Sequence, residues 1–159
     1  MVLNNVVSEE DADYMINNRN NLSFDHPIIK SILSKCSKLL KKELKPSFKS
    51  YLSVERATNG HDWHTDKGTN GHMSWCRYGI SILLSNPLDI IGGIFRYREP
   101  KEEITPKKHY LNAVIHESSK EHMVEPSNNR AALLIFLGTM PLLFSSCIYI
   151  LLSSTIYGS

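Results

Sequence analysis

His64 and Asp66 stand two residues apart in the stretch His64-Thr65-Asp66. On a strand, side chains at i and i+2 leave the same face, so one imidazole and one carboxylate converge there. A third nitrogen from elsewhere completes a face of two histidines and one carboxylate. That ligand set leaves one side of an octahedral iron open for O2 and a cosubstrate. Downstream, His122 opens the stretch His122-Met123-Val124-Glu125-Pro126, and Arg130 follows eight residues later at the head of an apolar run. An arginine beside a metal site has a clear use, because its planar fork binds a carboxylate bidentately. The same three side chains also suit a zinc hydrolase with an open water position, a reading that gives Arg130 no role. His61 lies three residues before His64, which on a regular strand turns it to the opposite face, as a loop or outer residue. His26, His72 and His109 sit beside turn residues and are expected at the surface. Trp63 and Trp75 flank the His64 region, and buried packing is expected of them ahead of a channel-lining role.

The elements that must position these residues are legible as patterns. Ser8-Glu9-Glu10-Asp11 has a capping residue followed by acids, a helix start. Asp25-His26-Pro27 opens a second helix. Ile28, Ile29, Ile32, Leu33, Cys36, Leu39, Leu40 and Leu44 recur on one face of it, and Pro46 is expected to stop it. The pattern then changes to short strands, expected at 48–56, 62–66, 77–84, 93–98, 110–116, 121–124 and 131–137. Turn residues separate them, as in Thr58-Asn59-Gly60, at 67–71, and in Ser85-Asn86-Pro87. Many short strands at this spacing, preceded by helices, predict a mainly β (α+β) chain with a sandwich or barrel-like core.

Composition bounds the function classes. The 159 residues fit one domain, with helices at 1–45, a β core at 47–137 and an apolar segment at 138–159. A net charge of +2 gives no argument for nucleic acid. Seven lysines and one acid between Pro27 and Ser50 read as the wet face of a helix. Cys36, Cys76 and Cys147 are odd in number and have no CxxC spacing, which suits a reducing cytoplasm better than a disulfide framework. No basic region precedes an apolar stretch at the N-terminus, so no signal peptide is expected. After Arg130 the chain carries no formal charge, and the 22 residues from Ala131 to Leu152 are long enough to span a bilayer. Gly138, Thr139 and Pro141 interrupt that run as a turn would, so a membrane span is not expected.

Taken together, His64-x-Asp66, His122 56 residues further on and Arg130 resemble the signature of the Fe(II)/2-oxoglutarate-dependent dioxygenases, in particular the prolyl 4-hydroxylase-like group. Gly92-Gly93-Ile94-Phe95-Arg96 resembles that family's paired-glycine strand. The stretch from His122 to Pro126, running into Arg130, resembles its distal-histidine strand and turn. The likeness spans residues 47 to 137. It implies a double-stranded β-helix, or jelly roll, and iron held by His64, Asp66 and His122, with no catalytic residue beyond these ligands. His116, fourteen residues before Arg130, fits the distal-ligand position less well than His122. Arg130 would pair with the far carboxylate of 2-oxoglutarate. The tyrosine that family members often place near the metal has no counterpart at 80–84, which leaves Tyr78 or Tyr51 to replace it. The implied cofactors are Fe(II), 2-oxoglutarate and O2, with ascorbate as an optional addition. The implied reaction decarboxylates 2-oxoglutarate to succinate and hydroxylates a substrate C–H bond. Asp66 favours hydroxylation over halogenation, because related halogenases replace this carboxylate with a small residue. The substrate is expected to be a peptide, protein or small molecule. The alternative is a metal-binding jelly roll without turnover, serving as a binding module.

Overall fold

The computed structural model describes residues 1–56, 58–68 and 73–138. The expectations for His72, for the middle of the turn at 67–71, for Cys147 and for the apolar segment after Gly138 lie outside the described residues. Two helices follow a two-residue strand at the start of the chain. Ser8 caps α1 (Glu9–Asn17), its hydroxyl accepting from the Asp11 amide at 3.1 Å. His26 caps α2 (Pro27–Leu40) through Nδ1, which accepts from the Ile28 amide at 3.3 Å. The end of α2 departs from expectation. Lys41 adopts a left-handed conformation, φ 52°, and terminates the helix before Pro46 is reached. Leu44 stays buried beyond the helix, and its amide donates to Ser37 Oγ.

Among the described residues, nine strands make two antiparallel sheets. The five-stranded sheet runs β1 (Val2–Leu3), β7 (Ala113–Glu117), β4 (Cys76–Leu83), β9 (Ala132–Gly138) and β2 (Tyr51–Glu55). The four-stranded sheet runs β3 (His61–His64), β8 (His122–Val124), β5 (Phe95–Tyr97) and β6 (Glu102–Ile104). Every strand pair within them is antiparallel. Seven strands fall on the expected stretches. The additional β1 and β6 are two and three residues long, too short to show alternation in sequence. A short helix, α3 (Pro106–His109), was also not expected.

The period-2 alternation assigns the layers. Along β9, Leu133, Ile135 and Leu137 pack with Ile80, Ile82, Ala113 and Ile115 against Ile29, Ile32, Leu33 and Cys36 of α2. The intervening residues of the same strands point toward the four-stranded sheet, where Val114 packs with Phe95, Tyr97, Ile104 and Val124. β9 is covered on both faces, which explains its nearly unbroken apolar sequence. Losing one fully buried side chain such as Ile32 would cost about 2–5 kcal/mol. Cys36 and Cys76 are buried, free thiols, each pushed up to about 12 by burial first. Among the described residues no helix is long and apolar enough to cross a membrane.

His109, expected at the surface, is wholly buried at the end of α3. Its Nε2–H donates to the Ser81 carbonyl at 3.0 Å, while Nδ1 has no partner among the described residues. Burial, opposed by that hydrogen bond and reinforced by the Arg130 charge, pulls its pKa to about 3. The unfolded chain therefore takes up a proton below about pH 6.5 that the folded chain refuses. Stability should fall as pH drops from about 6.5 toward 3, by up to about 1.4 kcal/mol per pH unit from this group. His109→Gln should flatten that slope in denaturant titrations across pH 4 to 6.5; an unchanged slope would assign the acid sensitivity elsewhere.

Candidate active site

The cavity between the sheets collects the chemistry-bearing residues. His64 ends β3 and His122 begins β8, and the two are direct cross-strand partners with ring centroids 4.4 Å apart. Asp66 lies just past the strand, in the turn after His64, so the expected strand at 62–66 ends two residues early. That turn is anchored to the residue after β7, because the Lys67 amide donates to the Ser118 carbonyl at 3.0 Å. Asp66 Oδ1 stands 3.5 Å from His122 Nε2 and 3.8 Å from His64 Nε2. One donor atom from each of the three residues lies within 4.8 Å of the others.

Both histidines are held in one tautomer by the backbone. His64 Nδ1–H donates to the Asp62 carbonyl at 2.7 Å, and His122 Nδ1–H donates to the Lys120 carbonyl at 2.9 Å. In the neutral ring this leaves each Nε2 as the lone pair, on the side facing Asp66. This outer hydrogen bond is what orients metal-bound histidines generally. Burial, then the neighbouring His116, holds the pKa of His122 at about 4, so the ring stays neutral and able to ligate. For Asp66, burial raises the pKa, but the hydrogen bond from His116 opposes it, and the carboxyl lies below its ordinary value. Two imidazole nitrogens and a carboxylate oxygen converging in this way suit a divalent cation. Three oxygen and nitrogen donors of this kind match iron or zinc rather than magnesium or calcium.

His116 was set aside as a distal ligand, and its contacts explain where it belongs. It is 6% exposed, with Nε2 2.8 Å from Asp66 Oδ2 and Nδ1 3.0 Å from the Tyr97 hydroxyl. Both nitrogens are thus already engaged, one by the second oxygen of Asp66 and the other by Tyr97. Opposite it on β4 is Gly79, where an added Cβ would sit 2.7 Å from His116 Nε2 and closer still to Asp66 Oδ2. No side chain fits there.

Arg130 precedes β9 and is only 3% exposed. Its Nε and Nη1 have no hydrogen-bond partner among the described residues, and neither does the buried Ser81 hydroxyl beside it in the cavity wall. Burial pulls the guanidinium's pKa down while Glu55 pulls it up. A cation this buried with idle N–H groups is costly unless an anion completes it. The carboxylate of a small acid fits that requirement, because the arginine fork and a hydroxyl donor both line the cavity. Phe95, Val124, Leu134 and Phe136 supply the apolar walls.

Four expectations are corrected. His61 does not face away from His64: β3 sets Asp62 and Trp63 against the single Met123 of β8, a bulge that brings His61 and His64 to one face with centroids 5.8 Å apart. Its Nε2 pairs with Glu55 at 2.9 Å in the cavity wall. Tyr78 is not brought to the site. It alternates with Gly79, packs toward the helices and meets Lys42 Nζ at its hydroxyl. Tyr51 lies further out, 55% exposed and stacked on Phe136. Trp63 is not packed inside: it is 38% exposed on the outer surface under Arg98. Gly92 and Gly93 both adopt positive φ, which lets Gly92 bridge to Ser127 and aims Phe95 to stack on His122 at 5.1 Å.

No protein-family model matches the sequence, and no curated protein matches it. Solved structures do. A viral collagen prolyl hydroxylase from Paramecium bursaria Chlorella virus-1, in its 2OG complex, superposes with a TM-score of 0.64 at 12% identity, covering 88% of this chain and 95% of that one. The chain has the fold of these oxygenases. A Pseudomonas putida prolyl-4-hydroxylase gives a TM-score of 0.62 at 13% identity, over 89% of this chain and 88% of that one. A 2OG-Fe(II) oxygenase family protein from Burkholderia pseudomallei gives 0.54 at 12%, over 84% and 80%.

Substituting Gly79→Ala should force Asp66 and His116 apart and cost about 1–3 kcal/mol by overpacking. Chemical denaturation reads the loss, and a variant as stable as the parent would show that the carboxylate can shift freely.

Proposed function

We propose that the chain is an Fe(II)- and 2-oxoglutarate-dependent dioxygenase that hydroxylates a C–H bond of a peptide or protein side chain, as a prolyl hydroxylase does. The two antiparallel sheets are read as a double-stranded β-helix. The observation that carries the proposal is the pairing, in one cavity, of a His/Asp/His donor set with a buried arginine whose Nε and Nη1 lack partners. A metal-binding module without turnover has no need of that second feature, and neither has a zinc hydrolase. The fold shared with 2OG-Fe(II) oxygenases supports the same reading.

In this assignment His64, Asp66 and His122 hold iron, and Arg130 with Ser81 takes the far carboxylate of 2-oxoglutarate. Bound iron with 2-oxoglutarate and O2 supplies the oxidising chemistry, releasing succinate and CO2. The chain's own share is to place and to exclude. The backbone-fixed tautomers keep both imidazole lone pairs aimed inward without reorganisation. Arg130 orients the cosubstrate through a charge that costs most when unpaired, so it selects an acid of the right length. The apolar walls keep bulk water from the reacting atoms. His64 is the most open of the three donors, its side chain 40% exposed against 4% and 5% for Asp66 and His122. Substrate approaches from that side. Free, buried Cys36 and Cys76 support a cytoplasmic setting, and ascorbate is an optional addition.

Anaerobic titration of the metal-free protein with Fe(II) and then 2-oxoglutarate should produce a weak visible charge-transfer band that decays on admitting O2. His64→Ala and His122→Ala should show no band. A folded parent protein giving none would favour the non-catalytic reading. Arg130→Ala should weaken 2-oxoglutarate by about 2–5 kcal/mol, and Ser81→Ala by about 0.5–1.5 kcal/mol. Unchanged cosubstrate affinity in Arg130→Ala would remove the arginine from the site.

A further inference from the structure

The proposed ligand set leaves a fourth residue unexplained. His116 is as buried as the ligands and its ring centroid is 4.3 Å from that of His122, yet it stands outside the three-donor group. Its two nitrogens are engaged in sequence. Tyr97 is wholly buried on β5, and burial, followed by Glu102 and Asp66, raises its pKa, so its hydroxyl keeps its proton. A phenol 3.0 Å from His116 Nδ1 can then donate to it, which leaves the imidazole proton on Nε2. That proton points at Asp66 Oδ2, 2.8 Å away. Donation therefore runs in one direction, from Tyr97 through His116 to Asp66.

The arrangement divides the two oxygens of the carboxylate. Oδ2 is taken by His116, in a gap that Gly79 keeps open. Oδ1 is the oxygen that faces His64 and His122. Without the donor, a carboxylate in a turn can rotate and offer either or both oxygens to an ion.

We infer that His116, held by Tyr97, is a positioning residue that fixes Asp66 so that it presents Oδ1 alone to the metal. This rests on the reading of His64, Asp66 and His122 as the metal ligands. Tyr97 and His116 touch neither substrate nor cosubstrate in this account; they act through Asp66. Their sequence positions carry no sign of the role, since Tyr97 is a strand aromatic and His116 a strand histidine. Only the register that sets His116 opposite Gly79 brings the two beside the carboxylate.

The test is Co(II) titration of the metal-free protein, reading affinity by calorimetry and coordination by the visible d–d bands, with thermal melting as the check on folding. Asp66→Ala serves as the reference for loss of a ligand. His116→Leu should weaken Co(II) by about 10–100-fold, the range for removal of a partner that orients a ligand. His116→Gln, whose amide N–H can reach Oδ2, should recover most of that loss with the parent's band positions. Tyr97→Phe preserves the buried ring and should weaken binding by roughly threefold to tenfold, the worth of one hydrogen bond. Should His116→Leu destabilise the fold, Tyr97→Phe and His116→Gln still carry the test. Parent-like affinity and bands in Tyr97→Phe and His116→Leu, while Asp66→Ala fails to bind, would overturn the positioning role. Loss in His116→Gln equal to that in Asp66→Ala, with altered bands, would make His116 a ligand and overturn it too. Binding by Asp66→Ala as tight as the parent's would instead bring down the ligand assignment on which the inference stands.

Discussion

The burial of the Asp66 carboxylate, 6% exposed between two sheets, is the constraint around which the site is arranged. A charge moved from water into a protein interior costs several kcal/mol unless donors or counter-charges replace the lost hydration. His116 supplies one donor, and the bare nitrogens of His64 and His122 define where a cation would supply the rest. Gly79 supplies the room by having no side chain. The turn bearing Asp66 is tied to Ser118, just past β7, by the Lys67 amide. Packing, backbone hydrogen bonding and chemistry thus converge on one side chain.

A second buried charge, Arg130, shares the cavity but not the donor set. Glu55 is the acid that acts on it electrostatically, yet Glu55 is bound to His61 at 2.9 Å and leaves Nε and Nη1 idle. Two opposite charges are thus held in one apolar-walled space without being paired to each other. A ligand that carries a metal-chelating end and an anionic end would be stretched between them. Low dielectric makes such a pair of anchors demanding of ligand length, because a mismatch leaves one charge desolvated and alone.

Much of this was legible in the sequence, for reasons of range. His64-x-Asp66 is a local spacing, and strand geometry alone brings the two together, even though Asp66 proved to lie in the following turn. The starts of α1 and α2 are likewise local signals, although the capping role of His26 was not among them. What escaped depends on register between distant strands. The pairing of His116 with Gly79 and the bulge that turns His61 inward cannot be read from spacing along one strand. Tyr78 illustrates the limit from the other side: its residue type suited the cavity, but its parity on β4 sends it to the helices. The buried His109 was misplaced because a turn-like neighbourhood, Thr105-Pro106, in fact begins α3, which tucks its last residue under the sheet. Ser81 carried no sequence signal at all; its idle hydroxyl is visible only beside Arg130.

The same strands build both the core and the site, with alternate residues assigned to each. On β4, Gly79 and Ser81 face the cavity while Ile80 and Ile82 pack under α2. On β7, His116 faces inward and Ile115 outward. Because side-chain direction reverses at every residue, a one-residue insertion or deletion within either strand would exchange the two sets completely. Tyr78 and Ile80 would enter the Asp66 gap, and a histidine would be buried among the isoleucines. Changes of chain length in descendants of this sequence are therefore restricted to the connections between strands, while replacements of one residue by another remain free to alter the cavity and the core independently. The loops are where this architecture can grow, and the parity of its strands is what it must keep.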